Sequence, residues 1–229
     1  MEPFAANPWF TSLPEADATA LLENSCAMRL GTGETLFARG DPFDGRSGAY
    51  FGLVSGRVKL TLADNAGGEV ILSIVEPGNW FGAGPTLDRQ PRGHSAVAVS
   101  PCEIRAVSAA NFHALMERNG FAQAIARQMA QRLRLAYQSM AATALLSTRE
   151  RIMRLLTVLA YGGITLAEDK RNTVDASQET LALMLGISRP TLNKELHTLS
   201  KLGLVTVGYG RIYLNASFDG AYSRNPRAE

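Results

Sequence analysis

Residues 177–202 read SQETLALMLGISRPTLNKELHTLSKL, and this stretch decides how the rest of the chain is understood. Ser177-Gln178-Glu179-Thr180 can cap a helix whose apolar positions are Leu181, Leu183, Met184 and Leu185. Gly186 then ends it, because a tight turn needs a residue tolerant of positive φ. Ile187 would anchor the corner, Ser188 caps a second helix, and Pro190 falls in its first turn, where the missing N–H costs nothing. Leu192, Leu196 and Leu199 face inward, which leaves Arg189, Thr191, Asn193, Lys194 and His197 outside. That face offers a fork-shaped donor for guanine, an amide for adenine and a cation for phosphate. Leu204–Val207 and Arg211–Leu214 flank Gly208-Tyr209-Gly210 as a hairpin. The unit is predicted to be a winged helix-turn-helix whose partner is double-stranded DNA.

Upstream, Ser147-Thr148-Arg149-Glu150 has capping-box spacing, so a helix starts afresh there and runs through Ile152, Leu155, Leu156 and Leu159 to Gly162-Gly163. The domain boundary is placed at this restart, giving domains 1–146 and 147–229. Residues 164–173 read as a polar loop, and the tail from about Asn215 as frayed. Phe121–Leu146 is one long helix, with Ile125, Met129, Arg132, Ala136 and Met140 as a stripe widened by Leu133 and Leu135. It could lie on its own barrel. The favoured alternative is a parallel seam between two identical subunits, with Ala126, Ala130, Ala136 and Ala141 allowing close approach. A short helix is expected from Ser108 to about Arg118, and another behind a capping box at Ser12-Leu13-Pro14-Glu15. Between Leu30 and Val107, short apolar stretches alternate with glycine-rich turns, and Val58–Leu62 with Glu69–Ile74 reads as a hairpin. The fold class is α+β: an antiparallel, jelly-roll-like β-roll, a long helix and a C-terminal winged helix-turn-helix.

Composition narrows the function. Apolar residues are 46% and charged residues 19%, a globular balance, and no apolar run approaches a membrane span. Met1–Phe10 lacks the basic and apolar regions of a signal peptide. Two distant cysteines, Cys26 and Cys102, argue against a disulfide framework or a cysteine-built metal cluster, and fit a reducing cytoplasm. From Ser147 onward the chain holds 11 Lys/Arg and 8 Asp/Glu, whereas the preceding part holds 12 and 13. The basic excess thus sits with the expected DNA-binding part. No Walker loop, nucleophile elbow or metalloprotease helix motif is present, and a cupin-type site would need more than three histidines. An enzyme is not expected.

The order of β-roll, long helix and winged helix-turn-helix resembles the CRP/FNR family of bacterial transcription regulators. The most specific pieces are Gln178-Glu179 and Leu185-Gly186-Ile187-Ser188-Arg189-Pro190-Thr191, with Arg151-Ile152 and the glycine-marked turns in support. The resemblance implies a homodimer joined along 121–146, an effector pocket in the roll and a pseudo-palindromic operator. It implies that Arg189, Pro190, Asn193 and Lys194 take the base- and phosphate-facing positions; with Ser177, Gln178, Ser188, Thr191 and His197 they make up the expected DNA-binding set. Many members carry Glu at the position of Pro190; proline cannot accept from cytosine N4, so an altered half-site is expected. An activator would also meet RNA polymerase, through surface loops such as 163–172.

In cyclic-AMP-binding members a Gly-Glu pair holds the ribose and an Arg-Ser-Ala sequence pairs with the cyclic phosphate. Here the matching residues are Gly82-Ala83-Gly84 and Gly93-His94-Ser95-Ala96, and the Thr-Ser pair that reads adenine becomes Ala136-Tyr137. Cyclic AMP binding in the family's manner is therefore not expected. Arg89, Arg92, His94 and Ser95 could still form an anion site, with Arg132, Arg134 and Tyr137 supplying a guanine grip and a stacking surface. Cyclic di-GMP, or another cyclic nucleotide, is the expected effector. The alternatives are a ligand-independent regulator, or a protein-binding module with a vestigial pocket. Haem sensing would need an axial ligand such as His94, His113 or a cysteine, and a lone histidine is more often structural; haem is not expected.

Overall fold

The computed structural model describes residues 3–42, 50–64, 68–161 and 172–218. The chain forms two compact units that divide between Leu133 and Arg134. The first begins with a 3-10 turn, Phe4–Ala6, and helices α1 (Pro8–Thr11) and α2 (Glu15–Glu23). The Ser12 capping box does not form: Pro14 is the N-cap of α2, and the Ser12 hydroxyl donates to the Trp9 carbonyl instead. The aromatics just before it earn their place in the core. Phe4 and Phe10 are buried against Trp80, Tyr50, Phe112 and Phe121, and the Trp9 indole donates to the Ala124 carbonyl at 2.8 Å.

Among the described residues, eight strands build the roll: β1 (Ser25–Leu30), β2 (Thr35–Phe37), β3 (Tyr50–Ser55), β4 (Val58–Ala63), β5 (Glu69–Val75), β6 (Trp80–Phe81), β7 (Ser95–Ala98) and β8 (Cys102–Val107). They form two four-stranded antiparallel sheets, ordered β1-β8-β3-β6 and β2-β7-β4-β5. Inner-face residues Phe37, Phe51, Leu53, Val58, Phe81, Ala96 and Ile104 fill the space between them. The predicted β4–β5 hairpin is present, Val58 pairing with Val75 and Ala63 with Glu69. A five-residue helix, α3 (Gly84–Asp88), links β6 towards β7, and α4 (Ala109–Met116) follows β8.

Helix α5 runs from Asn119 to Leu145 and carries the chain from the first unit into the second. Its apolar residues lie on two faces, so the single stripe predicted from Ile125 to Met140 is corrected. Phe121, Ala124 and Ile125 are buried with Gln128 in the roll's core. Ala126, Ala130, Leu133, Tyr137, Met140 and Ala144 recur at alternating four- and three-residue steps and are all exposed. The Ser147 capping box forms in both directions, Glu150 N–H to Ser147 Oγ at 3.3 Å and Ser147 N–H to Glu150 at 2.7 Å, and opens α6 (Thr148–Tyr161). Its predicted stop at Gly162-Gly163 and most of the loop 164–173 lie outside the described residues. Thr173–Val174 is strand β9, not loop, because β10 (Val205–Gly208) and β11 (Arg211–Leu214) offer β11 as a partner. The start of the tail is also ordered: Asn215 donates to the Gly203 carbonyl, and Phe218 is fully buried.

Gly56 ends β3 at φ +83, and a Cβ there would press on the Pro101 carbonyl and Cys102 Sγ. Gly56→Ala should therefore destabilise the roll by about 2–3 kcal/mol, read as a lower urea midpoint at unchanged slope.

Candidate DNA interface and effector site

The helix-turn-helix is α7 (Gln178–Leu185) and α8 (Arg189–Lys201). Local chemistry sets both ends. Ser177 Oγ accepts from Thr180 N–H, Ser188 Oγ accepts from Thr191 N–H, and Gly186 takes the left-handed C-cap at φ +61. Ser177 and Ser188 thus spend their hydroxyls on capping. Leu192, Leu196 and Leu199 are buried with Ile152, Leu156, Leu181, Val205 and Ile212. This leaves Ser188, Arg189, Pro190, Thr191, Asn193, Lys194 and His197 exposed, with Ser177 exposed and Gln178 partly so. Two ties escaped sequence reading. The Arg151 guanidinium donates to the Leu185 carbonyl at the turn, and Arg149 pairs with Glu195 of α8 at 2.8 Å. Both arginines lie one turn or less from the Ser147 cap, so that cap also positions the recognition helix. Tyr209, at the wing tip, is fully exposed.

The expected effector residues divide into two groups. Arg89 is exposed at the left-handed C-cap of α3, Gly84 is exposed, and Arg134 and Tyr137 are exposed on α5 in the second unit. Ser95 Oγ accepts from the Arg39 N–H. Gly82, Ala83, Arg92, His94 and Arg132, by contrast, come together at the end of β6. β6 is the outer strand of its sheet. The Asn79 carbonyl points to β3, where the Leu53 N–H donates to it, so the Trp80 carbonyl points the other way. The Arg132 guanidinium of α5 donates to it at 2.7 Å. Two residues on, the Gly82 carbonyl accepts from Arg92 at 2.9 Å. Arg92 is only 4% exposed, its guanidinium 4.2 Å from the Phe37 ring centroid and 5.6 Å from that of Phe51.

Burial lowers the proton affinity of both guanidiniums, opposed at Arg92 by Asp41 and at Arg132 by Tyr50; both remain cations. Burial also pushes the Tyr50 phenol well above its ordinary range, and it donates to Gln128 at 3.0 Å. His94 stands edge-on to Phe37, and burial, then Arg92, then Arg132 hold its imidazole below the ordinary 6.5. The buried atoms Trp80 Nε1, Thr86 Oγ1 and His94 Nε2 have no hydrogen-bond partner among the described residues. The roll thus carries one buried and one partly buried cation together with unpartnered polar atoms. Ala83, wholly buried, offers no acceptor for a ribose hydroxyl.

The architecture defines a winged-helix DNA-binding protein with a cyclic-nucleotide-binding type of sensor roll. Residues 27–119 match the cyclic nucleotide-binding domain, and residues 150–216 the Crp-like helix-turn-helix domain. The chain is 31% identical over 177 residues to the CRP-like cAMP-activated global transcriptional regulator of Mycobacterium tuberculosis, 76% of each chain. It is 30% identical over 181 residues to the cyclic AMP receptor protein of Thermus thermophilus, 79% of each. Among solved structures, the c-di-GMP responsive global regulator CLP of Xanthomonas campestris superimposes with a TM-score of 0.72 at 21% identity, covering 89% of this chain and 100% of that one. The chain belongs to the CRP/FNR family of transcription regulators. Its relatives are named as regulators rather than enzymes, and among the described residues no helix is long and apolar enough to cross a membrane.

The depressed His94 value fixes a pH dependence. Below about pH 6.5 the unfolded chain takes up a proton that the folded imidazole refuses, so the roll loses stability as pH falls from 7 towards 5. His94→Gln should flatten this part of the pH profile of urea midpoints while leaving the midpoint at pH 8 nearly unchanged.

Proposed function

We propose that the protein is a homodimeric, sequence-specific DNA-binding regulator whose output is set by a phosphate-bearing effector in the β-roll. The observation that carries the DNA half is the capped helix α8, which holds Arg189, Thr191, Asn193 and Lys194 on one exposed face while three leucines anchor the other. In this reading Arg189 reads a base edge, Asn193 and Lys194 contact base or phosphate, and Pro190 removes the acceptor that many family members place there. The exposed face of α5, with Leu133 at 53%, Tyr137 at 61% and Met140 at 67% exposure, supports dimerisation along that helix. A dimer would present two recognition helices to half-sites roughly 34 Å apart, one turn of DNA.

Selection of bound DNA from a random pool tests this directly. Inverted repeats with one-turn spacing are expected; single half-sites would remove the dimer, and unselected DNA the regulator. Arg189→Ala should relax preference at one symmetric base position, costing about 1–3 kcal/mol of discrimination. Equal weakening on all sequences would make Arg189 a phosphate contact instead.

For the effector, cyclic di-GMP is the leading candidate. Its two phosphates suit buried arginines, and guanine offers the N7/O6 edge that guanidinium groups grip. The relatives from Mycobacterium and Thermus are named for cyclic AMP, but Ala83 and His94 replace the ribose and phosphate ligands that family members use for it. Calorimetric titration should give heat with cyclic di-GMP and none with cyclic AMP at the same concentration; the opposite result would restore cyclic AMP.

A further inference from the structure

The recognition helix carries an acid that reading bases does not explain. Glu195 follows Lys194 directly in α8, and no cation stands where a helix neighbour could reach it: the positions three and four residues away hold Thr191, Leu192, Thr198 and Leu199. Left alone, its carboxylate would repel the phosphates of any duplex that Arg189 and Lys194 approach. Its partner comes from another element of the same unit, Arg149 in the first turn of α6, whose Nε donates to the Glu195 carboxylate at 2.8 Å. Arg149 has no acid at the matching places of its own helix either. Three and four residues on are Ile152 and Met153, and the adjacent Glu150 accepts from the Ser147 N–H in the capping box. The Glu195 side chain is only 18% exposed, that of Arg149 45%. An ion pair so open to water on one side adds little to stability, so stability alone is a poor account of it.

We propose that Arg149 is a DNA phosphate contact lying outside the helix-turn-helix, and that Glu195 is the positioning residue that aims it; this rests on the DNA reading given above. A guanidinium carries five N–H donors. The bond to Glu195 takes the one on Nε, and among the described residues the two terminal nitrogens make no other hydrogen bond or ion pair. Those nitrogens form the fork that suits phosphate oxygens. The place is also right. Glu195 and Thr191 are four residues apart and share one side of α8, and Thr191 is exposed beside the Ser188 cap. A guanidinium that meets Glu195 therefore stands at the rim of the DNA face, on its Thr191 side. One bond does two things there: it neutralises the acid on the recognition helix, and it turns a flexible side chain of α6 into an oriented donor. The flank of α8 thus recruits a cation while its base-facing residues stay free.

The test measures affinity by fluorescence anisotropy over a range of salt, with the full chain and two duplexes: the sequence selected from the random pool and a random sequence of equal length. Arg149→Gln should weaken both duplexes alike and reduce the slope of log affinity against log salt by about one. Arg149→Lys, which keeps a cation, should restore the slope but only part of the affinity, because lysine has no fork to share between carboxylate and phosphate. Glu195→Gln should weaken both duplexes about threefold or more in the otherwise unchanged chain, through loss of the charge-assisted bond that aims the guanidinium. In the Arg149→Gln background the same change should strengthen binding, since there it only removes a negative charge from the DNA side. That reversal of sign is what a merely structural pair would not produce. If Glu195→Gln strengthens binding in both backgrounds, the acid is a repelling charge and its positioning role is overturned. A wild-type salt slope in Arg149→Gln overturns the phosphate contact and leaves the DNA reading standing. A lowered slope in both Arg149 variants, with a lowered urea midpoint, makes the pair a structural tie and overturns the proposal. Failure of the unchanged chain to bind either duplex overturns the DNA reading and this inference together.

Discussion

A strand at the outside of a sheet has carbonyl groups that face no neighbour, and burying them without a donor is costly. β6 meets this constraint with arginine. The Trp80 carbonyl takes the guanidinium of Arg132 from α5, and the Gly82 carbonyl takes that of Arg92. Lysine would bring one compact charge and a large hydration shell; the planar guanidinium can also lie against an aromatic ring, as Arg92 does over Phe37 and Phe51. The result is a sheet edge closed by positive charge. The groups that satisfy the backbone are thus both cations. Removing either from water is expensive, and the dense aromatic packing of Tyr50, Trp80, Phe112 and Phe121 around the site supplies the compensating burial.

The two units differ in how their sites are specified. In the second, nearly every feature of the DNA face follows from neighbours in sequence. Ser177, Gly186 and Ser188 fix the helix ends from within three residues, and the leucines of α8 follow its period. That is why α7, α8 and the wing were legible, including their bounds to within a residue or two. The Ser147 capping box was legible for the same reason. The Ser12 sequence had the same spacing and did not form: Pro14 is extended at ψ 140 and takes the N-cap place itself, while the Ser12 hydroxyl donates back to the Trp9 carbonyl.

The roll's interior was legible as architecture, and the grouping of its polar residues only in part. Arg89 and Arg92 look alike in sequence, two loop arginines three residues apart. Arg89 caps α3 at positive φ and faces solvent, whereas Arg92 turns inside. What separates them is Phe37 and Phe51, residues 41–55 positions earlier, and the Gly82 carbonyl; no local pattern encodes that meeting. Arg132 was read both into the helix stripe and among the effector residues, but its bond to a strand edge was not foreseen. The one clue in the sequence was its position, an arginine where the stripe called for an apolar residue.

Helix α5 gives these facts a common consequence. Arg132 holds the Trp80 carbonyl, and the next residue, Leu133, stands on the exposed apolar face. Consecutive residues on a helix project about 100° apart, so the sheet contact and the exposed apolar face leave one turn of backbone in different directions. The first residues beyond it, Arg134 onward, already belong to the unit that carries the recognition helix.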